Sequence, residues 1–222
     1  MRTVYLFISL FLISKTILAE VIERLPTDKK VVAITLDACE TKTPSYLDRE
    51  IINFLVENNI PFTLFVSGKF ITRNRQDLIK LHKTGLVSIQ NHSMNHFQHM
   101  EKLSLEEVKS EILENEKLIK EITGIKPMYF RFPGGNYDQK TLQIVESLNY
   151  RVVHWTFPSG DPDKSITPQR LASHVISKTS PGAILIFHAN GRGYSTGEAL
   201  PKIVSELRSK GYRFVFLEDF LR

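Results

Sequence analysis

Apolar and β-branched residues gather in short bursts along this chain, separated by stretches whose apolar positions recur every three or four residues. "VVAITLD" (31–37), "PFTLFVSG" (61–68), "LVSIQNH" (86–92), "MYFRF" (128–132), "RVVHWTF" (151–157), "GAILIFH" (182–188) and "YRFVFLE" (212–218) read as strands. The stretches between them read as helices. Leu47, Ile51, Phe54 and Leu55 share one face, with Ser45 and Asp48 resembling a capping box. "NRQDLIKLHKTG" predicts a short helix closed by Gly85. Ser104 and Glu107 open the longest helix, with Leu105, Val108, Ile112, Ile119 and Ile122 on its apolar face and Gly124 at its end. Asp138 caps the next, Thr167 and Pro168 start another, and Leu200, Ile203, Val204 and Leu207 mark a last one stopped by Gly211.

Strands alternating with helices predict a parallel sheet with helices outside it. A doubly wound nucleotide-binding sheet fits less well, because "DACETKTPS" rather than a glycine-rich phosphate loop follows the first strand. A barrel fits better, because of where the polar residues fall. Asp37, His92, Arg131 and His188 stand at or near the C-terminal ends of different strands, and Asp161 lies shortly after another. In a parallel barrel those ends meet at one mouth, where active sites lie.

Composition adds scale and setting. The 222 residues, 42% hydrophobic, suffice for one domain with a sizeable core. Residues 1–19 read as a secretory signal peptide: Arg2 precedes the apolar run from Val4 to Ile13, and Ala19 stands where a signal peptidase cuts. The expectation is a mature chain of residues 20–222, secreted or periplasmic, and anchored to the membrane if uncleaved. The apolar run is short for a span of about 20 residues, so no stable membrane span is expected in the mature form. A single cysteine, Cys39, forms no internal disulfide. A net charge of +5 without a tract of basic and aromatic residues points away from nucleic acid and toward an anionic polymer. The mature chain is expected to be a monomer.

The strand-end residues carry recognisable chemistry. "NHSMNH" puts His92 and His96 four apart, and on a helical turn both imidazoles would share a face and bind one divalent metal. His99 reads as solvent-exposed or as supporting the pair, and His82, His154 and His174 read as structural. A metal-bound water needs a base and its reaction needs an acid. Asp37 suits the base and His188 the acid, with Asp161 holding His188 protonated and Arg131 orienting Asp37 through a forked ion pair. The glycines of "HANGRGYSTGEALP" let backbone approach a ligand, so Arg192 and Tyr194 are expected on one wall of the cleft.

The order "TLDAC", "NHSMNH", "RFPGG", "HWTFPSGD" and "LIFH" resembles the five motifs of the polysaccharide deacetylase family, carbohydrate esterase family 4, over roughly Val31 to Phe220. The resemblance implies a distorted (β/α)7-type barrel and a hydrolase that removes N-acetyl groups from an N-acetylhexosamine polymer such as peptidoglycan or a chitin-like glycan. It also implies a divalent metal, zinc in the first place, with manganese or cobalt as alternatives. By that match Asp37 is the base, His92 and His96 are metal ligands, Arg131 braces Asp37, and Trp155 and Asp161 form the fourth motif. Asp161 tunes His188, the acid, and backbone N–H groups around Gly134 and Gly135 face the substrate and its oxyanion.

One departure bears on all of this. The family's first motif has two aspartates, the second a metal ligand, and here that position is Ala38. Glu40, Cys39 or Asp37 remain as alternatives for a third ligand, as does a water. Cys39 also reads simply as a small buried residue. The departure keeps a second function open, a catalytically weak relative that binds polysaccharide. The same machinery would equally serve an O-acetyl esterase.

Overall fold

The computed structural model describes residues 20–40 and 44–221; the expected signal peptide, residues 1–19, lies outside the described residues. Among these described residues, eight parallel strands alternate with six α-helices. They are β1 (Val21–Ile22), β2 (Val31–Ala38), α1 (Arg49–Glu57), β3 (Phe62–Val66), α2 (Gly68–His82), β4 (Val87–Asn91), α3 (Leu105–Thr123), β5 (Tyr129–Phe130), α4 (Gln139–Ser147), β6 (Arg151–Val153), α5 (Pro168–Lys178), β7 (Ala183–His188), α6 (Thr196–Ser209) and β8 (Arg213–Phe214). The strand order is β1-β6-β5-β4-β3-β2-β7, with β8 also on β2. The result is a single α/β domain whose parallel strands curl into a distorted barrel, as the sequence led one to expect.

β2 shows how alternation builds the two layers. Val32, Ile34, Leu36 and Ala38 pack outward into the large core shared with the helices. Val31 and Ala33 pack inward with Phe65, Tyr129, Val153 and Ile184. Thr35 and Asp37 continue the inward row, buried and polar. Inward side chains near the C-terminal strand ends therefore have to satisfy one another.

Closure explains why several predicted strands end early. β6 stops at Val153, and the chain then crosses to the opposite edge. His154 N still donates to Ile22 O (2.9 Å), but Thr156 N donates to Ile184 O (2.9 Å), and Phe157 bridges to Leu185 of β7. "RVVHWTF" is thus a short strand plus a closing strap. "YRFVFLE" pairs at Arg213–Phe214 and then turns into a 3₁₀ segment, Leu217–Asp219.

Helix starts follow side-chain caps. Ser104 and Glu107 make the expected capping box of α3, and Gly124 closes it at φ 73°. Asp138 caps α4 and Thr167 caps α5. Two starts differ from expectation. In α1 the cap is Asp48, whose side chain accepts from Ile51 N, and Ser45 lies outside it. α2 begins at Gly68 under a Ser67 cap and kinks at Asn74. There the Asn74 amide accepts from Leu47 N (3.2 Å) and donates to the carbonyls of Ser45 and Phe70 (3.0 Å each), tying the kink to the chain before α1.

Candidate active site

Two buried ion pairs stand side by side at the mouth. Asp37 on β2 and His188 on β7 are register partners across adjacent strands, so the ladder itself sets their separation. Each then finds its own counter-charge.

Arg131 is fully buried, and its bonds reach two segments, β2 and the end of β6. Nη1 donates to Asp37 Oδ1 (2.7 Å), Nη2 to Thr35 Oγ1 (2.9 Å) and His154 O (2.8 Å), and Nε to Val153 O (3.1 Å). Its guanidinium carbon also sits 4.0 Å from the Phe65 ring centroid. A buried charge is tolerated when paired and saturated in this way. Burial pushes the Asp37 pKa up, but Arg131 first, with smaller electrostatic contributions from the His92 and His188 rings, outweighs it and holds the carboxyl at about 2. Asp37 is therefore ionised at any physiological pH.

Asp161 is likewise buried and accepts four bonds. Oδ1 takes His188 Nδ1 (2.9 Å) and Ser159 Oγ (3.1 Å); Oδ2 takes His188 N (2.7 Å) and Thr196 Oγ1 (3.0 Å). Burial works against the His188 imidazolium, yet the Asp161 bond and charge prevail and the His188 pKa is raised. Asp161 thus keeps a proton available on His188 near neutrality.

His92 and His96 meet without a helix. Their rings are edge to face with centroids 4.8 Å apart. The helical turn expected over "NHSMNH" is replaced by an irregular loop with positive φ at Ser93 (66°) and His96 (56°). Side chains hold that shape: Asn91 Oδ1 accepts from Ser93 N (3.0 Å), Ser93 Oγ from His96 N (3.0 Å), and Glu111 of α3 from Asn95 N (2.8 Å). His92 Nδ1 lies 2.8 Å from Arg131 O, which can only accept, so Nδ1 carries the hydrogen and Nε2 the lone pair. Burial lowers both histidine pKa values, that of His96 to about 3, so both rings are neutral.

Neutral imidazoles beside a carboxylate are donors that suit a divalent metal. His92 Nε2 and Asp37 Oδ2 are 3.6 Å apart, and the His96 Nδ1 is buried without a hydrogen-bond partner. Two donors on one tetrahedral zinc, at about 2.1 Å each, stand about 3.4 Å apart. The residues present therefore fit a metal through His92 and His96, with Asp37 at its edge. Among the described residues no three His, Cys, Asp or Glu side chains form a ready-made metal group. Glu40 does not turn inward: Arg73 Nε binds its carboxylate at 2.7 Å. Cys39 is buried, its thiol pushed up to about 12 by burial and by Asp37, so it stands there as a thiol. Ala38 packs in the outer apolar layer. Of the three alternatives for a further protein ligand, Asp37 alone is placed against a histidine of the pair.

A cleft of about 240 Å³ opens over this group, lined by Asp37, His96, Gln98, Gly134, Trp155, Asp161, His188 and Arg192 among others. Gly134 sits at φ 64°. The neighbouring N–H groups are spent in the turn, Gly135 N on Phe132 O (3.0 Å) and Asn136 N on Pro133 O (3.4 Å). Gly135 supports the cleft from behind: a Cβ there would lie 2.8 Å from the Trp155 ring. Tyr194 is 46% exposed beneath Lys164 Nζ, 5.2 Å from its ring, and outside the cleft lining. From Thr196 onward the expected loop is already helix α6.

Several residues of the site carry no sequence signal of their own. Thr35 and Phe65 look like ordinary strand residues, and Ser159, Thr196 and Glu111 like ordinary surface polars, until the fold brings them to Arg131, Asp161 and the histidine loop. His154, read as structural, stacks on Trp155 (5.1 Å, 20°) and lies buried with Nε2 unpaired. The clue for Thr35 was its place two residues before Asp37, on the same face of the strand.

The fold and site combine a parallel barrel with an arginine-paired carboxylate, a carboxylate-backed histidine and a histidine pair at one mouth. The polysaccharide deacetylase model matches residues 24–153, and the chain belongs to that family. The family is generally metal-dependent and its substrates are polysaccharides. A peptidoglycan-N-acetylglucosamine deacetylase of Bacillus cereus is 30% identical over 200 residues, 89% of this chain and 91% of that protein. The peptidoglycan-N-acetylmuramic acid deacetylase PdaA of Bacillus subtilis is 26% identical over 200 residues, 88% of this chain and 73% of that protein. A carbohydrate esterase family 4 pseudoenzyme from Bacillus anthracis superposes with a TM-score of 0.80 at 23% identity, covering 92% of this chain and 69% of that one. No helix among the described residues is long and apolar enough to cross a membrane.

Proposed function

We propose that this protein removes N-acetyl groups from a polysaccharide of the peptidoglycan type, using metal-assisted hydrolysis. The observation that carries the reading is the pairing of Asp37 with His188 across one strand ladder, each locked to its own counter-charge, at the edge of one cleft. Arg131 occupies Asp37 Oδ1, so Oδ2 receives the proton of the attacking water. Water oxygen bonds to the acetyl carbon as the carbonyl pair moves onto oxygen. His188 then gives its proton to the amide nitrogen as the C–N bond breaks, and acetate and a free amine result. A carboxylate held at about 2 is a weak base, so the water must itself be made acidic. His92 and His96 would hold a divalent ion, and when bound it would supply that acidity, lowering the pKa of water toward about 7.

The cleft is smaller than the roughly 300 Å³ at which pockets for drug-sized ligands begin. It suits one acetylated sugar, with the rest of the polymer outside. Acetate release from peptidoglycan and chitin oligomers, before and after chelation and after zinc return, tests the reading. Chelator-sensitive release is the expected result; no release from any glycan by metal-loaded protein overturns it.

Ala38 and the pseudoenzyme among the structural neighbours favour a second reading, binding without cleavage. It predicts glycan affinity with no acetate. For either reading we propose export, with cleavage after Ala19. N-terminal sequencing of the mature protein tests this, and a chain starting at Met1 in the cytoplasm refutes it.

A further inference from the structure

The loop after β7 is pinned on both sides, and between the pins it presents one arginine. On one side Ala189 N donates to Asp37 O (2.9 Å), and Asn190 Nδ2 donates to Cys39 O (2.6 Å) and reaches Cys39 Sγ (3.3 Å). On the other, Tyr194 N donates to Asp161 O (3.3 Å) and Thr196 N to Gly193 O (3.0 Å). Gly191 turns the chain at φ 78°. Gly193 presses on the acid pair: a Cβ there would stand 2.4 Å from His188 O, 2.7 Å from Thr196 Oγ1 and 2.9 Å from Asp161 Oδ2. Both glycines are needed to hold this path.

Arg192, between them, lines the cleft with Asp37, His96 and His188. Its guanidinium is within hydrogen-bonding reach of the Cys39 thiol, and its charge works against protonation of His96 and His188. Yet none of the ion pairs among the described residues includes Arg192. The acids of the cleft, Asp37 and Asp161, are committed to Arg131 and His188. A half-buried cation on the wall of the cleft that holds Asp37 and His188, without an anion of its own, is completed by negative charge on the ligand.

We propose that Arg192 is a catalytic residue whose guanidinium receives the oxyanion of the tetrahedral intermediate. The proposal rests on the deacetylase reading. As the water–carbon bond forms, the carbonyl pair becomes a full negative charge on oxygen, and Arg192 donates N–H bonds to it. When the carbonyl reforms, that pair returns, the C–N bond breaks and His188 protonates the nitrogen, so Arg192 ends the cycle unchanged. A carboxylate on the sugar would offer the same chemistry to Arg192, but its place on the wall of the cleft that holds Asp37, His96 and His188 favours the reacting oxygen.

The test compares wild type, Arg192→Met and Arg192→Lys on a neutral N-acetylglucosamine oligomer, which carries no carboxylate. Arg192→Met is expected to lower kcat by about 10²–10³-fold, the cost of one oxyanion donor, with KM moving by less than about threefold. Arg192→Lys should recover about a tenth of the wild-type kcat or more. Acetate, which carries two oxygens on the same carbon, is titrated calorimetrically into metal-free protein and should bind at least about tenfold more weakly to Arg192→Met. Unchanged kcat in Arg192→Met overturns the proposal. So does a loss confined to KM on N-acetylmuramic acid glycans, which would assign Arg192 to a substrate carboxylate. If wild type releases no acetate from any glycan, the deacetylase reading falls by itself. The acetate titration then decides on Arg192 separately, and equal affinity in both proteins overturns its role.

Discussion

Two buried carboxylates line one cleft at this barrel mouth, and their partners give them opposite temperaments. Asp37 faces a guanidinium that never releases its proton, so its charge is fixed, and its pKa is held at about 2. Asp161 faces an imidazole, so the charge of that pair changes near neutrality, and the pKa of His188 is raised. One pair is a permanent electrostatic fixture and the other is a proton reservoir. The proposed hydrolysis uses both, and the choice between arginine and histidine as the partner makes the difference.

Removing the fixed charge should do most damage. Asp37→Asn is expected to lower kcat for acetate release by about 10³-fold, within the usual range for a general base; near-normal turnover would mean that Asp37 is not the base. Asp161→Asn comes next. It leaves His188 buried without an anion, so burial dominates and the His188 pKa falls. Activity should drop by roughly 10²-fold near neutrality, and the alkaline limb of the kcat profile should move to lower pH. A limb that stays in place would show that the two carboxylates do not differ as described.

The pH dependence of stability separates the pairs without any substrate. The folded pKa of Asp37 lies below its reference of 3.8, so its contribution is fully present above that value and is lost as pH falls toward about 2. At about 1.4 kcal/mol per unit, that contribution is on the order of 2 kcal/mol. His188 has the opposite sign: its folded pKa is raised, so its contribution is full below 6.5 and is lost as pH rises through the raised value. Denaturant melts of metal-free protein should show both slopes, and Asp161→Asn should abolish the alkaline one. The smallest effect on turnover is expected from Thr35→Val, which removes the bond from Arg131 Nη2 (2.9 Å) and the Thr35 Oγ1 donation to Leu185 O (2.6 Å). Losing the two bonds should cost about 2 kcal/mol in melts, whereas Thr35→Ser should be close to neutral.

The legible part of this molecule was what local chemistry decides. β2, the capping box of α3 and the caps of α4 and α5 follow from alternation and from side chains within three residues of their targets. The strand-end acids and histidines were legible because a parallel sheet brings such ends together. Less legible was what distant backbone decides. β6 ends at Val153 because Thr156 is claimed by Ile184, some thirty positions on, as the barrel closes. The histidine pair is shaped by Glu111 on α3 rather than by a helical turn. Glu40 was a reasonable ligand on paper, and Arg73, in α2 beyond all of α1 and β3, takes it.

Cys39 began as an oddity beside the base. Burial and Asp37 make it a silent thiol, and Asn190 of the loop from 189 to 196 lies over it. It is therefore a built-in reporter on that loop: alkylation of the native protein by a maleimide should proceed only as fast as the mouth opens, turning a single chemical label into a clock for the motion of the segment that carries Arg192.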